Sequence, residues 1–360
     1  MEAGLKKKAE REIICMPTSI KLLRFYNVFP QSDQVLKPGN KSYNHVELDV
    51  IYIASIGVSY GIICYYVSKI KSAIQLYLFF SNFEEFGKPI EFDEINQKYN
   101  RYSQYHYCYA EFAVFVVLLG SNIFKSRQCR VENEQRHLHE VCGLFSYTWM
   151  PFNIDFFPVK QIYLFIQLIG GHFVYAVVLH SAWMVLETIE HIVIRIRHVA
   201  HLFNEALAAQ DPEERREKFN SVVRYHIQVL GLQSKMNHIY SVFMFIIIIM
   251  NGAIMGYGVY AYMKEGNISP IVIALEWFIG SFIICHGGQR IQDESISVGT
   301  ALYNTDWSRC ETNLKKDIMF VLMRCQQPMV LKAASFGIMD HAIFLAVAKA
   351  TYSYITLLSQ

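Results

Sequence analysis

The sequence predicts an all-α, polytopic membrane protein, and three observations carry that class. Hydrophobic residues make up 53% of its 360 residues and charged ones only 18%, which is less charged than an ordinary globular chain. The apolar residues are gathered into blocks of spanning length. Lys and Arg alternate between the segments that separate those blocks. The net charge of +2 is near neutral and points to neither nucleic acid nor an acidic partner.

Residues 1–45 form a polar N-terminal segment with eight basic residues. No apolar stretch follows Lys6, Lys7, Lys8 and Arg11 closely enough for a cleavable signal peptide, so the first span is expected to target the chain. The membrane bundle is expected over 46–290. Its clearest blocks are Gln161–Leu186, with 26 residues free of Asp, Glu, Lys and Arg, and Ser241–Met263, with 23. A charge-poor run of about 20 residues crosses roughly 30 Å of hydrocarbon. Four weaker runs, Val50–Val67, Phe112–Phe124, Ile268–Gln289 and Ala333–Leu358, bring the spans to six. The last carries Asp340, His341 and Lys349. Charges at membrane depth face protein or water rather than lipid, so this helix is expected to have one wet side.

Basic residues set the orientation. Residues 68–106, 187–238 and 290–332 carry 18 Lys and Arg, against five in the alternate segments 126–160, 264–269 and beyond 350. The first set is therefore expected inside and the C-terminus outside. Asn267-Ile268-Ser269, a glycosylation acceptor pattern, falls in a segment assigned outside. The basic N-terminal segment conflicts with an outside N-terminus, which six spans require.

Two helices are expected to outrun the membrane. Ile189, Ile192, Val193, Ile196, Val199, Ala200 and Phe203 extend the Gln161 span at helical spacing. As one helix, residues 161–209 measure about 73 Å. Asp211, Pro212, Glu213 and Glu214 suit the start of a second long helix: a cap, a first-position proline and two dipole-matched acids. Residues 187–238 thus form a cytoplasmic stem, packed within its own chain or meeting another subunit. Gly252 and Gly256 form a GxxxG, a sign of tight helix packing. His198 and His201 lie three apart but lack an obvious third ligand, so no metal or other cofactor is expected. Cys129 and Cys142 have the best case for a disulfide if their loop is extracellular, but two free thiols are the expectation.

The segment from Ser281 to Gln360 resembles the C-terminal signature of insect odorant receptors. The matching residues are Cys285 and Gly288, then Ala301-Leu302-Tyr303 with Trp307. Gln326-Gln327-Pro328 follows, then Ala333-Ala334 with Phe336, and last Ala348-Lys349-Ala350-Thr351-Tyr352-Ser353-Tyr354. Trp149-Met150-Pro151-Phe152 resembles the family's second extracellular loop, and 187–232 its long cytoplasmic linker. The resemblance implies a seven-span helix bundle with an inside N-terminus and an outside C-terminus. It also implies a ligand-gated cation channel in the plasma membrane of sensory neurons, and no enzyme. Subunits would form a heterotetramer with an olfactory co-receptor and bind a volatile odorant within the lipid bilayer. Only one span precedes residues 68–86 where the family has two, so the front of the chain departs from the pattern.

Two alternatives have features of their own. Insect taste receptors end with Thr-Tyr, five apolar residues and Gln-Phe; Thr351-Tyr352 is present but no Phe follows Gln360. A metabotropic seven-helix receptor would carry Asp-Arg-Tyr and Asn-Pro-x-x-Tyr motifs, which are absent.

The resemblance and the pattern together nominate residues. A pore-lining helix is expected within 331–360, starting near Phe336, with Thr351, Ile355 and Leu358 towards its outer end as pore or gate. Odorant contacts are expected from Tyr52, Phe112, Phe115, Phe165, Ile169, Tyr257 and Tyr260. Tyr257 and Tyr260 lead because a buried hydroxyl needs a polar partner. Subunit anchoring is expected over 291–330, through Trp307, Ile318, Leu322, Gln327 and Pro328, on a short amphipathic helix and the proline that stops it.

Overall fold

The computed structural model describes residues 50–120, 141–144, 154–265 and 269–358, with isolated positions at 127, 130, 131, 134 and 135. Residues 1–45, Cys129, Trp149-Met150-Pro151-Phe152, Asn267 and Ile268 lie outside the described residues, as do the side chains of Tyr52, Phe115 and Leu358. The helices are α1 (Val50–Phe80), α2 (Phe92–Gly120), α3 (Val159–Ala208), α4 (Pro212–Glu265), α5 (Ser269–Tyr303), α6 (Thr312–Cys325) and α7 (His341–Leu358). A 3-10 turn, Trp307–Arg309, precedes α6, and two short antiparallel strands, β1 (Lys332–Ala333) and β2 (Gly337–Ile338), precede α7. By length and composition α3 and α4 are able to cross a membrane.

The long helices have the extents their patterns call for. α3 runs 50 residues and α4 runs 54. Between them Asp211 caps α4: its carboxylate accepts from Glu214 N at 2.9 Å and its carbonyl from Arg215 N at 2.9 Å. α1 and α5 also outrun their apolar runs, ending at Phe80 and Tyr303 rather than near Val67 and Gln289. Polar residues such as Ser68, Lys69 and Lys71 do not stop a helix, because none breaks the backbone ladder.

The last span departs from expectation. The helix begins at His341, not Phe336, and residues 332–338 are a hairpin. Asp340 sets the start: its side chain accepts from Ile343 N at 2.9 Å, so this carboxylate caps α7. The hairpin turn carries Ala334 at φ 48°, a left-handed conformation that a Cβ disfavours.

The chain divides into two compact units. One holds residues 50–68 and 98–183 among those described, and the other 69–97 and 184–358. In the second, α4 packs against α5, α7 and β1, and α5 packs against α6 and α7. Its core is built from Ile189, Ile192, Val193, Ile196, Val199 and Phe203 of α3 with Phe219, Val222, Val229, Leu232 and Met236 of α4. The α3 stripe that seemed to call for a second subunit is thus buried within its own chain. Phe203 meets the Phe219 ring at 5.6 Å, and His191 meets Phe80 and Phe92 at 5.3 Å each. The segment between α1 and α2 folds over the stem, and sequence spacing alone does not register that cover.

Gly288 allows the closest approach in this unit. A Cβ there would stand 1.9 Å from the carbonyl oxygen of Met339, so α5 and the residues leading into α7 touch backbone to side-chain position. Gly252 faces Thr351 of α7, 3.9 Å from where its Cβ would be.

Candidate functional site

Polar groups at membrane depth are costly and so mark function or helix glue. In the first unit, α2 and α3 bring together several. Trp183 Nε1 donates to His106 Nδ1 at 2.9 Å, and the Tyr107 and His180 rings are 5.4 Å apart. His172 Nδ1 stands 3.1 Å from Glu111 Oε1, both half-buried. Beside this pair lies an apolar exposed surface: Phe112 on α2 (65% exposed), and Phe165 and Ile169 on α3 (60% and 55%). Phe165, Ile169 and His172 follow one another at helical spacing, so they share a face.

In the second unit the stem is held by ionic and hydrogen-bonded groups. Arg195, buried, donates to His191 O at 3.0 Å and to Phe80 O, and lies over the Phe80 ring at 4.8 Å. Burial, with the Arg195 charge beside it, holds His191 down to about 3. His198 is also held below its usual value by burial, with its Nε2 2.9 Å from Phe86 O. Burial lowers His226 to about 4, with Arg324 adding to it, and raises Tyr225 to about 12. Arg197 bridges Glu294 and Glu91 at 2.5 and 2.8 Å, and Arg290 pairs with buried Glu190. Tyr77, Tyr240 and Thr188 share hydroxyl hydrogen bonds of 2.5 and 3.0 Å. Nearer the apolar end, Asn251 donates to Ser281 Oγ between α4 and α5. His201, read as a lone partner of His198, pairs instead with Glu205 at 3.2 Å.

The last helix has two unlike sides. Thr351 is buried against Gly252 and donates to Val347 O at 2.9 Å. Ala342, Leu345, Ala346, Lys349, Ser353 and Tyr352 are exposed and recur at spacings of three and four.

The sequence model of the 7tm odorant receptor family matches residues 50–352. The chain belongs to this family. Among its relatives in Drosophila melanogaster, odorant receptor 85c is 22% identical over 249 residues, 68% of this chain and 64% of that one. Putative odorant receptor 92a is 24% identical over 150 residues, 41% of this chain and 36% of that one. The matches thus span between about a third and two thirds of these relatives' lengths. The insect olfactory receptor OR5 from Machilis hrabei, solved in complex with eugenol, has a TM-score of 0.64 over 86% of this chain and 80% of that one, at 13% identity. A second structure of the same receptor gives a TM-score of 0.61 at 15% identity. At such identity the likeness concerns the fold, which is the insect odorant receptor helix bundle. The family is one of membrane receptors.

The structure positions the receptor's expected site residues as follows. Phe112, Phe165 and Ile169 lie in the first unit with their side chains outward. Tyr257 and Tyr260 lie on α4 in the second unit; Tyr257 is 65% exposed and Tyr260 half-buried, so Tyr257 is not the buried hydroxyl expected of it. Thr351 turns towards α4, while Ile355 is half-buried on α7, which Leu358 ends. Trp307 opens the 3-10 turn and donates to Tyr303 O at 3.2 Å. Ile318 is fully buried among its own chain's residues, Leu322 half-buried, and Gln327 and Pro328 exposed. Ile318 is therefore a core residue, and Met319, Phe320 and Met323 carry the outward face of α6. The Glu111–His172 pair and the Arg195 cap had no local signal, because each partner is more than 60 residues away in sequence.

Proposed function

We propose that this receptor is the odour-tuning subunit of a heteromeric, ligand-gated, non-selective cation channel in the plasma membrane of olfactory sensory neurons. In this proposal its C-terminus is extracellular and a co-receptor supplies the other subunits. The observation that carries it is the two-sided α7: one side packs on α4 and α5, and the other presents Ala342, Ala346, Lys349 and Ser353, with Leu345 and Tyr352 at its border, without cover from the described residues of the chain. Such a face suits water, not lipid, and water at membrane depth requires other subunits to enclose it. Thr351, Ile355 and Leu358 are the candidates near the outer end of α7, with Ile355 and Leu358 as the apolar gate; they share the face on which Thr351 packs against Gly252, so this gate requires α7 to turn that face towards the path.

A volatile odorant binds an apolar face of the bundle; Phe112, Phe165 and Ile169 are the candidate contacts in the first unit, and Tyr257 and Tyr260 are separate candidates in the second. Tyr52 and Phe115 belong to the same candidate set. Subunits meet through 291–330, where Trp307, Leu322, Gln327 and Pro328 border the outward Met319, Phe320 and Met323.

Co-expression with one co-receptor and whole-cell recording tests the gate. Ile355→Ser raises resting current, because a hydroxyl wets an apolar ring. Unchanged resting current and ion selectivity in both Ile355→Ser and Leu358→Ser would remove α7 from the pore. On the same cells an odorant panel tests the ligand faces: if Ala at both Tyr257 and Tyr260 leaves every dose–response curve in place, those two are not contacts.

A further inference from the structure

Where α5 passes the entry to α7, two histidines meet. His286 on α5 holds its Nδ1 3.2 Å from Nε2 of His341, the residue that opens α7. Their rings are 5.4 Å apart and nearly parallel, at 4°. Phe282, one turn before His286, lies 6.0 Å from each imidazole, at 8° and 6°. Phe344 of α7 meets the Phe282 ring at 5.4 Å. These rings fix the planes of the two imidazoles. The backbone fixes their separation, because Gly288, two residues beyond His286, makes the close approach to Met339, two residues before His341.

The pair is open to solvent. His286 is exposed and His341 half-buried. The apolar run of α5 ends at Gln289, just beyond His286, and α7 starts at His341; on the basic-side-inside rule this is the cytoplasmic edge of the membrane. A hydrogen bond between solvent-reached imidazoles contributes little by itself, because water competes for both nitrogens. The separation suits another bridge. Two imidazole nitrogens bound to one tetrahedral zinc, each at about 2.0–2.1 Å, stand about 3.3 Å apart, close to the 3.2 Å found here. The proton between the rings has only to shift to the donor ring's other nitrogen. Both rings then stay neutral and turn a lone pair to the metal. Asp340 places a negative charge next in the chain, while its carboxylate remains the cap of α7. Among the described residues no third His, Cys, Asp or Glu completes a metal-binding group with the pair, so water fills the remaining positions.

We propose that His286 and His341 form a site for a zinc-class transition-metal ion that staples α5 to the first turn of α7. The class follows from the donors. Neutral imidazole suits zinc, copper and nickel, whereas magnesium and calcium take oxygen ligands. Two protein ligands with open water positions make a reversible site for a labile ion, since structural zinc is held by four protein ligands. Occupancy ties the start of the last helix to α5 more firmly than the hydrogen bond it replaces.

The test is calorimetric titration of zinc chloride into the full-length chain in neutral detergent micelles. His286→Gln and His341→Gln are each expected to weaken the tightest step by at least about ten-fold. The double variant is expected to be no weaker than either single one, because the two ligands act as a unit. His201→Gln, which removes an exposed imidazole from the stem, is expected to leave that step unchanged. Zinc should also raise the melting temperature of the unmutated chain, and less so that of the two variants; their melting temperatures without zinc report whether they fold. This pattern supports the site. Additive losses in the double variant, loss in only one single variant, or equal loss with His201→Gln overturns it. So does a chain that binds no zinc, and matched binding of magnesium overturns the metal class.

Discussion

The guanidinium of Arg195 donates to the backbone carbonyl of Phe80, the last residue of α1. The last carbonyls of a helix have no partner within it. Here a side chain 115 residues away supplies one, while its charge lies over the Phe80 ring. A second bond to His191 O fixes the guanidinium on its own helix. Replacing Arg195 with Met removes these bonds and leaves the Phe80 carbonyl buried without this donor. The expected cost is about 3 kcal/mol, read as a lower melting temperature of the detergent-solubilised chain and less protein at the cell surface. A melting temperature equal to the unmutated chain's would show that the cap does not hold the stem.

The stem should weaken with acid. His226 is held to about 4 in the folded chain against 6.5 for an ordinary histidine, so the folded state refuses a proton that the unfolded chain takes up. Stability from this group is complete above pH 6.5 and falls as pH drops from 6.5 towards 4. Its share is about 3 kcal/mol. His191, held to about 3, adds to the slope over the same window and on down towards pH 3. Melting temperature against pH in detergent measures this, and His226→Phe should make the curve shallower between pH 6.5 and 4, leaving the share of His191 and His198. An unaltered slope in that variant would mean other groups carry the acid sensitivity.

Two glycines in long helices should respond oppositely to alanine. At Gly288 a methyl would stand 1.9 Å from Met339 O, with Met339 C at 3.0 Å. Gly288→Ala must therefore push α5 away from the entry to α7, and loss of surface delivery is expected. At Gly231, within α4, nothing lies within 4 Å of an added Cβ. Gly231→Ala should stabilise by about 0.5–1 kcal/mol through helix propensity. Equal melting temperatures and surface levels for the two variants would contradict the geometry.

The outward face of α6 offers a separable test of assembly. Met319→Asp with Phe320→Asp charges two exposed residues and should abolish recovery of tagged co-receptor in a pull-down without lowering melting temperature. Ile318→Asp, at a fully buried position, should instead unfold the segment, because an unpaired carboxylate cannot be sequestered among apolar side chains. Full co-receptor recovery with the Met319 and Phe320 pair charged would move the contact elsewhere.

By itself the sequence determined the helical membrane class, the lengths of α3 and α4, the cap at Asp211, and the short helix ending before Pro328. Each rests on local rules: apolar runs of spanning length, 3.6-residue periodicity, and capping chemistry that acts within one turn. The matching residues of the C-terminal third also pointed to the family, whose sequence model matches residues 50–352. Tertiary structure alone decided which apolar faces are covered. Periodicity marks Ile189–Phe203 and Ile318 as apolar faces but cannot say what covers them, and the chain itself covers both. The same holds for Asp340, which reads as a charge in a pore helix until its bond to Ile343 N makes it the cap that starts α7. Contacts such as Arg195 with Phe80 and Gly288 with Met339 close over tens of residues or more. What joins them is the packing of helices chosen by total burial, a property that no window of sequence contains.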